Sequence, residues 1–230
     1  MSAAATAIGD SRIARLYRST VGKKAIMAVT GLILFGFVLG HMAGNLQFFL
    51  GPETLNHYGR KLRELGPLLW VVRLALLGTV ALHITAAFQL WLLNRAARPE
   101  RYVKLTPTTS TYASRTMIWS GPILLAFVIY HLMHLTFGNA HPDFNHDLNV
   151  YANVVKGFQQ PAVAICYVAV MALLCLHLYH GVWSMFQSLG LSHPKYTPKI
   201  KRFAAAVSLL LLAGFSSVPL AVLAGFHRSI

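Results

Sequence analysis

Residues 161–188 read PAVAICYVAVMALLCLHLYHGVWSMFQS and contain no Asp, Glu, Lys or Arg. A helix rises about 1.5 Å per residue, so about 20 residues cross the roughly 30 Å of hydrocarbon in a bilayer. This run is therefore long and apolar enough to form a transmembrane helix. It also carries two histidines, His177 and His180, inside the apolar stretch.

Four further runs have the same character. The chain is 56% hydrophobic and only 11% charged, whereas a soluble domain has about 25% charged residues. We therefore predict an all-α integral membrane protein with five transmembrane helices, four of which form a bundle around a bound group. The predicted spans are 24–49, 67–94, 116–138, 161–188 and 203–227.

Basic residues indicate the orientation of these spans. With the N-terminus in the cytoplasm, fourteen of the 20 Lys and Arg residues fall on the inner side, which agrees with the positive-inside rule. The C-terminus is then outside. The net charge of +14 does not indicate a nucleic acid partner, because the basic residues flank the spans and face membrane lipid.

Two cysteines, Cys166 and Cys175, lie in one apolar segment, and the chain has no C-x-x-C pattern. A disulfide framework, a zinc ribbon and covalently attached haem are therefore not predicted. We interpret both thiols as small buried hydrophobic groups.

Histidines inside the predicted spans are the main functional signal, because an imidazole in hydrocarbon indicates a functional site. Six of the 11 histidines lie there: His41, His83, His131, His134, His177 and His180. His41 and His131 reach similar depths in helices that start inside, and we call them the outer pair. His83 and His177 reach similar depths in helices that start outside, and we call them the inner pair. On helical rise the two levels lie roughly 10 to 15 Å apart.

Two level pairs of imidazoles predict two haem b groups, each held between two histidines. Bis-histidine ligation fills both axial positions of the iron, so such a haem transfers electrons. Zinc would need four ligands converging at one point. A proton-relay transporter is the other alternative, although the spans contain no Asp or Glu.

His134 and His180 each follow a paired histidine by three residues, which places them on roughly the same helix face. One member of each couple is the ligand, and the other bonds a haem propionate, a quinone or a neighbouring helix. Depth alone does not decide which. Gly36, Gly40 and Gly44 give the helix of His41 a face without side-chain bulk, which a haem or another helix could approach.

The run from His177 to Gly190, together with Gly31 to Gln47, resembles the dihaem cytochrome b subunit of succinate:quinone oxidoreductases and fumarate reductases, of the five-helix single-anchor type. The resemblance covers roughly residues 22–227. It implies that residues 1–23 form a cytoplasmic N-terminal segment and that residues 24–227 form a five-helix transmembrane dihaem cytochrome b domain.

The resemblance also implies ligands, partners and a reaction. The implied haem ligands are the inner pair, His83 with His177, and the outer pair, His41 with His131. Such subunits reside in the bacterial cytoplasmic membrane and anchor a flavoprotein and an iron-sulfur protein. The resemblance leaves open whether the complex forms a higher oligomer. They pass electrons from succinate to a quinone, with menaquinone favoured, and do not oxidise succinate themselves. A cytochrome b subunit of another quinone-linked dehydrogenase or reductase remains the alternative.

Two sets of polar residues are candidates for contacts around these groups. The possible partners of the haem propionates are the inner cations Lys23, Lys24 and Arg115, whose other role is to reach lipid headgroups. A quinone site needs hydrogen-bonding groups beside an apolar slot. The outer candidates for it are His57, Tyr58, Arg60, Glu64 and Arg73. A solvated loop with a salt bridge at a helix end is the alternative for that segment, and an inner quinone site near Ser19, Lys23 or Trp119 stays open.

Overall fold

The computed structural model describes residues 12–97 and 110–228, and within them every regular element is helical. The α-helices are α1 (Arg12–Arg18), α2 (Thr20–Leu46), α3 (Pro52–Glu64), α4 (Pro67–Ala96), α5 (Tyr112–Leu132), α6 (Val150–Phe158), α7 (Pro161–Ser188) and α8 (Thr197–Leu223). A short 3-10 helix, Gln47–Leu50, continues α2, and a π-helical turn, Met133–Phe137, continues α5.

Five of these helices are long and apolar enough to cross a membrane, which confirms the predicted fold class. These spans are Thr20–Leu50, Pro67–Ala96, Tyr112–Phe137, Pro161–Ser188 and Thr197–Leu223. The last span begins six residues before the predicted 203 and ends four before 227. Proline is tolerated in the first turn of a helix, so Pro198 starts α8 instead of blocking it. The chain then leaves the helix at Gly225, whose φ is 77°, and His227 lies beyond α8.

The connections after α2 and after α5 contain two helices that the sequence pattern does not predict. Helix α3 begins with Pro52 at its first turn, and helix α6 begins after Asn149, whose side chain accepts the Ala152 N–H. Asn56 ties the two helices together: its Nδ2 donates to Asn149 Oδ1 at 3.0 Å, and its Oδ1 accepts the Tyr151 N–H at 2.9 Å. These polar bonds let two short helices pack as one unit.

The buried core lies under this unit, at the outer end of the bundle. Its buried members are Phe48, Leu55, Tyr151, Val155, Phe158, Ala164, Tyr167, Val218 and Val222. Burying a large apolar side chain contributes about 1.5–3 kcal/mol, so this cluster anchors α3 and α6 on the spans. We call the cluster with α3 and α6 the outer cap.

Packing between the spans places the histidines. Helix α7 packs along α8 and against α5 and α2, and α4 packs mainly on α2. Within the described residues, α4 makes no extensive contact with α7, and α2 makes none with α5. The helices that carry each level pair are therefore separated, which leaves room for a flat group between them.

At the inner end, the side chain of Lys23 closes the junction between α1 and α2. Its Nζ donates to the backbone carbonyls of Tyr17 at 2.9 Å and Arg18 at 3.0 Å, and only 8% of the residue is exposed. A cation at the carboxyl end of a helix satisfies carbonyls that lack helical partners. Of the predicted N-terminal segment, residues 1–11 lie outside the described residues, as do the basic residues Arg98, Arg101 and Lys104.

Candidate functional site

The outer pair meets inside the bundle. The ring centroids of His41 and His131 are 5.8 Å apart and the rings are nearly perpendicular, at 85°. Phe37 stacks on His41, Phe127 stacks on His131, and Phe215 of α8 contacts His41 at 5.9 Å between centroids. The pair is thus enclosed by aromatic rings from α2, α5 and α8.

One hydroxyl connects His131 to the next histidine of its helix. The Tyr167 hydroxyl of α7 lies 3.3 Å from His131 Nδ1 and 2.9 Å from His134 Nδ1. Because Nδ1 of His131 faces this hydroxyl, its Nε2 is the ring nitrogen left for a ligand bond. An outer-shell hydrogen bond of this kind fixes the tautomer of a metal-binding histidine.

His134 itself belongs to the outer cap. It is 1% exposed, lies in the π-helical turn, and stacks on Tyr130 and on His141. A Cβ added to Gly157 of α6 would lie only 2.8 Å from His134 Cε1. The imidazole is therefore surrounded by protein, and of the two outer candidates on α5 it is His131 that faces His41.

The inner pair is oriented by aliphatic hydroxyls. His83 Nδ1 lies 3.0 Å from Thr30 Oγ1, and His177 Nδ1 lies 3.1 Å from Ser120 Oγ. The Thr30 hydroxyl donates to the Ile26 carbonyl at 2.7 Å, so it accepts from His83 Nδ1–H. Ser120 has a similar carbonyl neighbour in its own helix. With the proton on Nδ1, each imidazole keeps the Nε2 lone pair for a ligand bond.

At the outer level this arrangement fits a flat iron porphyrin. A metal–imidazole bond is about 2 Å long, so two imidazoles on opposite sides of one metal place their centroids roughly 6 Å apart, close to the separation of His41 and His131. Among the described residues, no three His, Cys, Asp or Glu side chains converge as a metal cluster would require. The side chains therefore favour pairwise ligation over a zinc site.

A cavity of about 430 Å³ lies at the inner end between α2 and α7. Its polar lining comes from Lys24, His180, Ser184, Gln187 and Ser188. His180 Nδ1 is buried and has no hydrogen-bond partner in the described part of the chain. The cavity is thus lined by a cation and by an imidazole one helical turn from His177.

The predicted propionate cations differ in their surroundings. Lys24 lines the inner cavity, and Arg115 is exposed near the start of α5. Lys23 is hydrogen-bonded to the carboxyl end of α1, so a contact with a propionate would require breaking those bonds.

The predicted quinone residues are spread along α3 and the start of α4. Tyr58 packs on α2, where a Cβ added to Gly44 would lie 2.8 Å from its hydroxyl. His57 and Arg60 are exposed. Arg73 is exposed too and lies over the Trp70 ring at 5.1 Å. Tyr58 is thus the member placed between two helices.

Glu64 forms the helix-end salt bridge that was the alternative for this segment. Its Oε2 lies 2.8 Å from Lys61 Nζ, with both side chains about 60% exposed (61% and 60%). The hydrogen bond and charge of Lys61 lower the pKa of the Glu64 carboxyl. A carboxylate held this way stays ionised at neutral pH, in which form it accepts a proton.

The glycines beside His41 have different neighbours. A Cβ at Gly36 or Gly40 would meet no atom within 4 Å, whereas one at Gly44 would meet Tyr58. No helix of the described chain therefore fills the space at Gly36 and Gly40, and the close contact at Gly44 is with α3.

Three hydroxyl residues that orient the histidines were not found from the sequence: Thr30, Ser120 and Tyr167. Each lies on a different helix from the histidine it contacts, so no spacing along the chain relates them. Ser and Thr in apolar helices also bond their own carbonyls, which gives them an ordinary role without a histidine.

The fold and these contacts define a class: a multi-pass α-helical membrane protein with a facing pair of histidines, His41 and His131, and two further histidines in its spans that are oriented by hydroxyls. Residues 92–216 match the family of succinate dehydrogenase/fumarate reductase transmembrane subunits, and the chain belongs to that family. Comparisons with curated proteins and with solved structures give no match.

Proposed function

We propose that the chain is the dihaem membrane anchor of a succinate dehydrogenase complex. It carries electrons from an iron-sulfur subunit through two haems b to a membrane quinone, while a flavoprotein subunit oxidises succinate. The observation that carries the proposal is the facing geometry of His41 and His131, 5.8 Å apart between ring centroids. The family match supports the partners.

In this proposal the inner pair, His83 and His177, holds one haem and the outer pair, His41 and His131, holds the other. A haem with both axial positions filled by imidazole cycles between ferric and ferrous iron and does not bind oxygen. The chain supplies the ligands, the hydroxyls that orient three of them, and an apolar enclosure. The separation of α4 from α7 and of α2 from α5 provides the space.

The inner cavity is the proposed site of the inner haem propionates. Lys24 supplies positive charge there, and the buried Nδ1 of His180 is available to donate a hydrogen bond. Charge-assisted hydrogen bonds to carboxylates are among the stronger ones in proteins. Arg115 is a further candidate at the same end of the bundle.

The proposed orientation places the N-terminus and the inner cavity on the cytoplasmic side of a bacterial membrane. Most Lys and Arg residues then lie at the cytoplasmic surface. A basic surface also favours docking of an acidic partner. In this proposal the iron-sulfur subunit docks on that surface and so comes close to the inner haem.

Purification of the assembled complex tests this function. We expect two haems b per copy of the chain, co-purifying flavoprotein and iron-sulfur subunits, and reduction of menaquinone analogues by succinate. Two haems with a different dehydrogenase would identify a cytochrome b of another quinone-linked enzyme. The absence of a b-type spectrum in the intact complex would contradict the proposal and favour a transporter.

The proposed quinone site lies at the outer end, with Tyr58 at the α2–α3 contact and His57, Arg60, Glu64 and Arg73 around it. Glu64 is the proposed proton acceptor: it takes a proton from the aqueous side and passes it to the reduced quinone, which gains two protons with its two electrons. Exchange of Glu64 for Gln removes this transfer and should lower quinone reduction by about 100-fold or more, while succinate still reduces both haems. Lys61→Gln is the matched control, because it removes the salt bridge and keeps the carboxylate. An unchanged rate in Glu64→Gln would exclude this residue and leave an inner site as the alternative.

A further inference from the structure

Tyr167 occupies a position between two histidines of another helix. The residue is 6% exposed, and its ring packs on Phe127 and Phe158 with centroids 4.9 Å away in each case. Its hydroxyl faces His131 Nδ1 at 3.3 Å and His134 Nδ1 at 2.9 Å. The tyrosine thus joins the outer pair to the outer cap through one oxygen atom.

Proton counting gives each bond a direction. A histidine that binds metal through Nε2 carries its proton on Nδ1, so His131 Nδ1–H donates to the Tyr167 oxygen. The hydroxyl has one hydrogen, which is then free to be donated to His134 Nδ1 across the shorter distance. The proton of His134 is consequently on Nε2.

The surroundings of His134 leave Tyr167 as its hydrogen-bond partner among the described residues. Its Nε2 is buried without a hydrogen-bond partner in the described residues and lies against Gly157 of α6. The stacked His141 is held separately, since its Nε2 donates to the Asn153 carbonyl at 2.8 Å and its Nδ1 accepts the Asp143 N–H at 3.2 Å. His134 therefore has the Tyr167 hydroxyl as its hydrogen-bond partner.

We propose that Tyr167 is the positioning residue of the outer ligand His131, and that its hydrogen bond sets the electron-donating strength of this imidazole. An acceptor on Nδ1–H makes an imidazole a stronger donor to a metal and favours the ferric state. The inference rests on the proposed haem function and goes beyond the ligand set. It assigns control of the outer haem potential to a residue of α7 that touches neither His41 nor the inner pair.

Tyr167→Phe tests the hydroxyl while keeping the ring that fills the core. We expect two haems to remain and the midpoint potential of the outer haem to rise, with a changed low-spin electron paramagnetic resonance signal for that haem. The inner haem should keep both its potential and its signal. These readouts respond to the ligand's hydrogen bond and not to folding alone.

Tyr130→Phe is the matched control. Tyr130 stacks on His134 and contacts the Tyr167 ring at 6.1 Å between centroids, but its hydroxyl makes no hydrogen bond with the described chain. It should leave both potentials unchanged. An equal shift in both variants would mean that packing, not the Tyr167 hydroxyl, controls the potential, and that would overturn the inference.

His134→Phe provides a second test, because it removes the acceptor of the Tyr167 hydroxyl, and a hydroxyl that no longer donates is a weaker acceptor for His131 Nδ1–H. We expect the outer signal alone to change. Unaltered outer potentials in both Tyr167→Phe and His134→Phe would refute the role of Tyr167. Fewer than two haems in the unmodified complex would instead refute the proposed function.

Discussion

The inner and outer pairs sit in one bundle but are oriented in different ways. At the inner level, Thr30 and Ser120 orient the imidazoles with aliphatic hydroxyls that also bond their own helices. At the outer level, Tyr167 orients His131 and in turn contacts a third imidazole, His134. The inner arrangement depends on two pairs of adjacent helices, α2 with α4 and α5 with α7, whereas the outer one depends on the packing of a whole cap.

The surroundings of the two histidine pairs also differ. The inner end has a polar cavity with an unpartnered imidazole nitrogen, and the outer end has the buried core. A change in the outer cap should therefore be transmitted to the outer pair alone. Changes near the cavity should affect the inner pair.

Removal of a ligand should have the largest effect. His177→Ala or His83→Ala should abolish the inner haem and leave the outer one, so the haem content falls by half. His131→Ala or His41→Ala should do the reverse. Haem quantitation with reduced-minus-oxidised spectra measures both outcomes.

His180→Ala serves as the control for His177→Ala, because it lies one turn away and is not assigned as a ligand. It should retain two haems. Two haems in His177→Ala would show that the inner pair has been assigned to the wrong imidazole.

Gly157→Ala should damage the outer cap. The added methyl would lie 2.8 Å from His134 Cε1 and 3.1 Å from His141 Nε2, and overpacking of this kind costs about 1–3 kcal/mol. Thermal unfolding of the purified complex should occur at lower temperature, with a change confined to the outer haem spectrum. Gly181→Ala is the control, since no atom lies within 4 Å of its added Cβ. An inner haem that changes equally would contradict the separation of the two levels.

Thr30→Val should weaken the inner haem alone. The substitution keeps the shape of the side chain and removes the acceptor of His83 Nδ1–H. Loss of such a hydrogen bond lowers metal affinity by about tenfold or more, measurable as haem loss during titration with a haem-binding competitor. Thr79→Val is the control, because this half-buried threonine of α4 donates to the Ala75 carbonyl of its own helix and contacts no histidine by a hydrogen bond. Similar haem loss from both variants would argue against a role for the Thr30 hydroxyl.

The five spans could be predicted because a bilayer demands long apolar runs, and the sequence shows them directly. Helices α3 and α6 were not predicted, although Pro52 in the first turn and Lys61 and Arg63 in the last are helix signals. Both are short helices, and their stability comes from burying Leu55, Val155 and their neighbours. That burial depends on contacts distant in sequence.

The candidate site also has features that could be predicted from the sequence and features that could not. Depth along a helix is a local property, so the level of each histidine could be inferred from its position in the chain. The choice between His131 and His134 could not, because a spacing of three leaves both on one face. In the structure that choice depends on Gly157 and His141, which surround His134. The π-helical turn at Met133–Phe137 also had no signal in the sequence.

The smallest effect should come from the surface charges of the outer cap. Lys61→Gln removes the exposed salt bridge to Glu64, and exposed pairs of this kind contribute little to stability. Because Lys61 lowers the pKa of Glu64, the small stabilisation is present above the ordinary glutamate pKa and disappears as the pH falls through the lowered value. The unfolding temperature of Lys61→Gln at neutral pH should therefore be slightly lower than that of the unmodified chain, and this difference should vanish in acid. Asn56→Ala should lower the unfolding temperature much more, because the half-buried Asn149 side chain and the Tyr151 N–H lose their partner. A larger loss from Lys61→Gln than from Asn56→Ala would mean that surface charge, and not the contacts of Asn56, holds the outer cap and through it the outer pair.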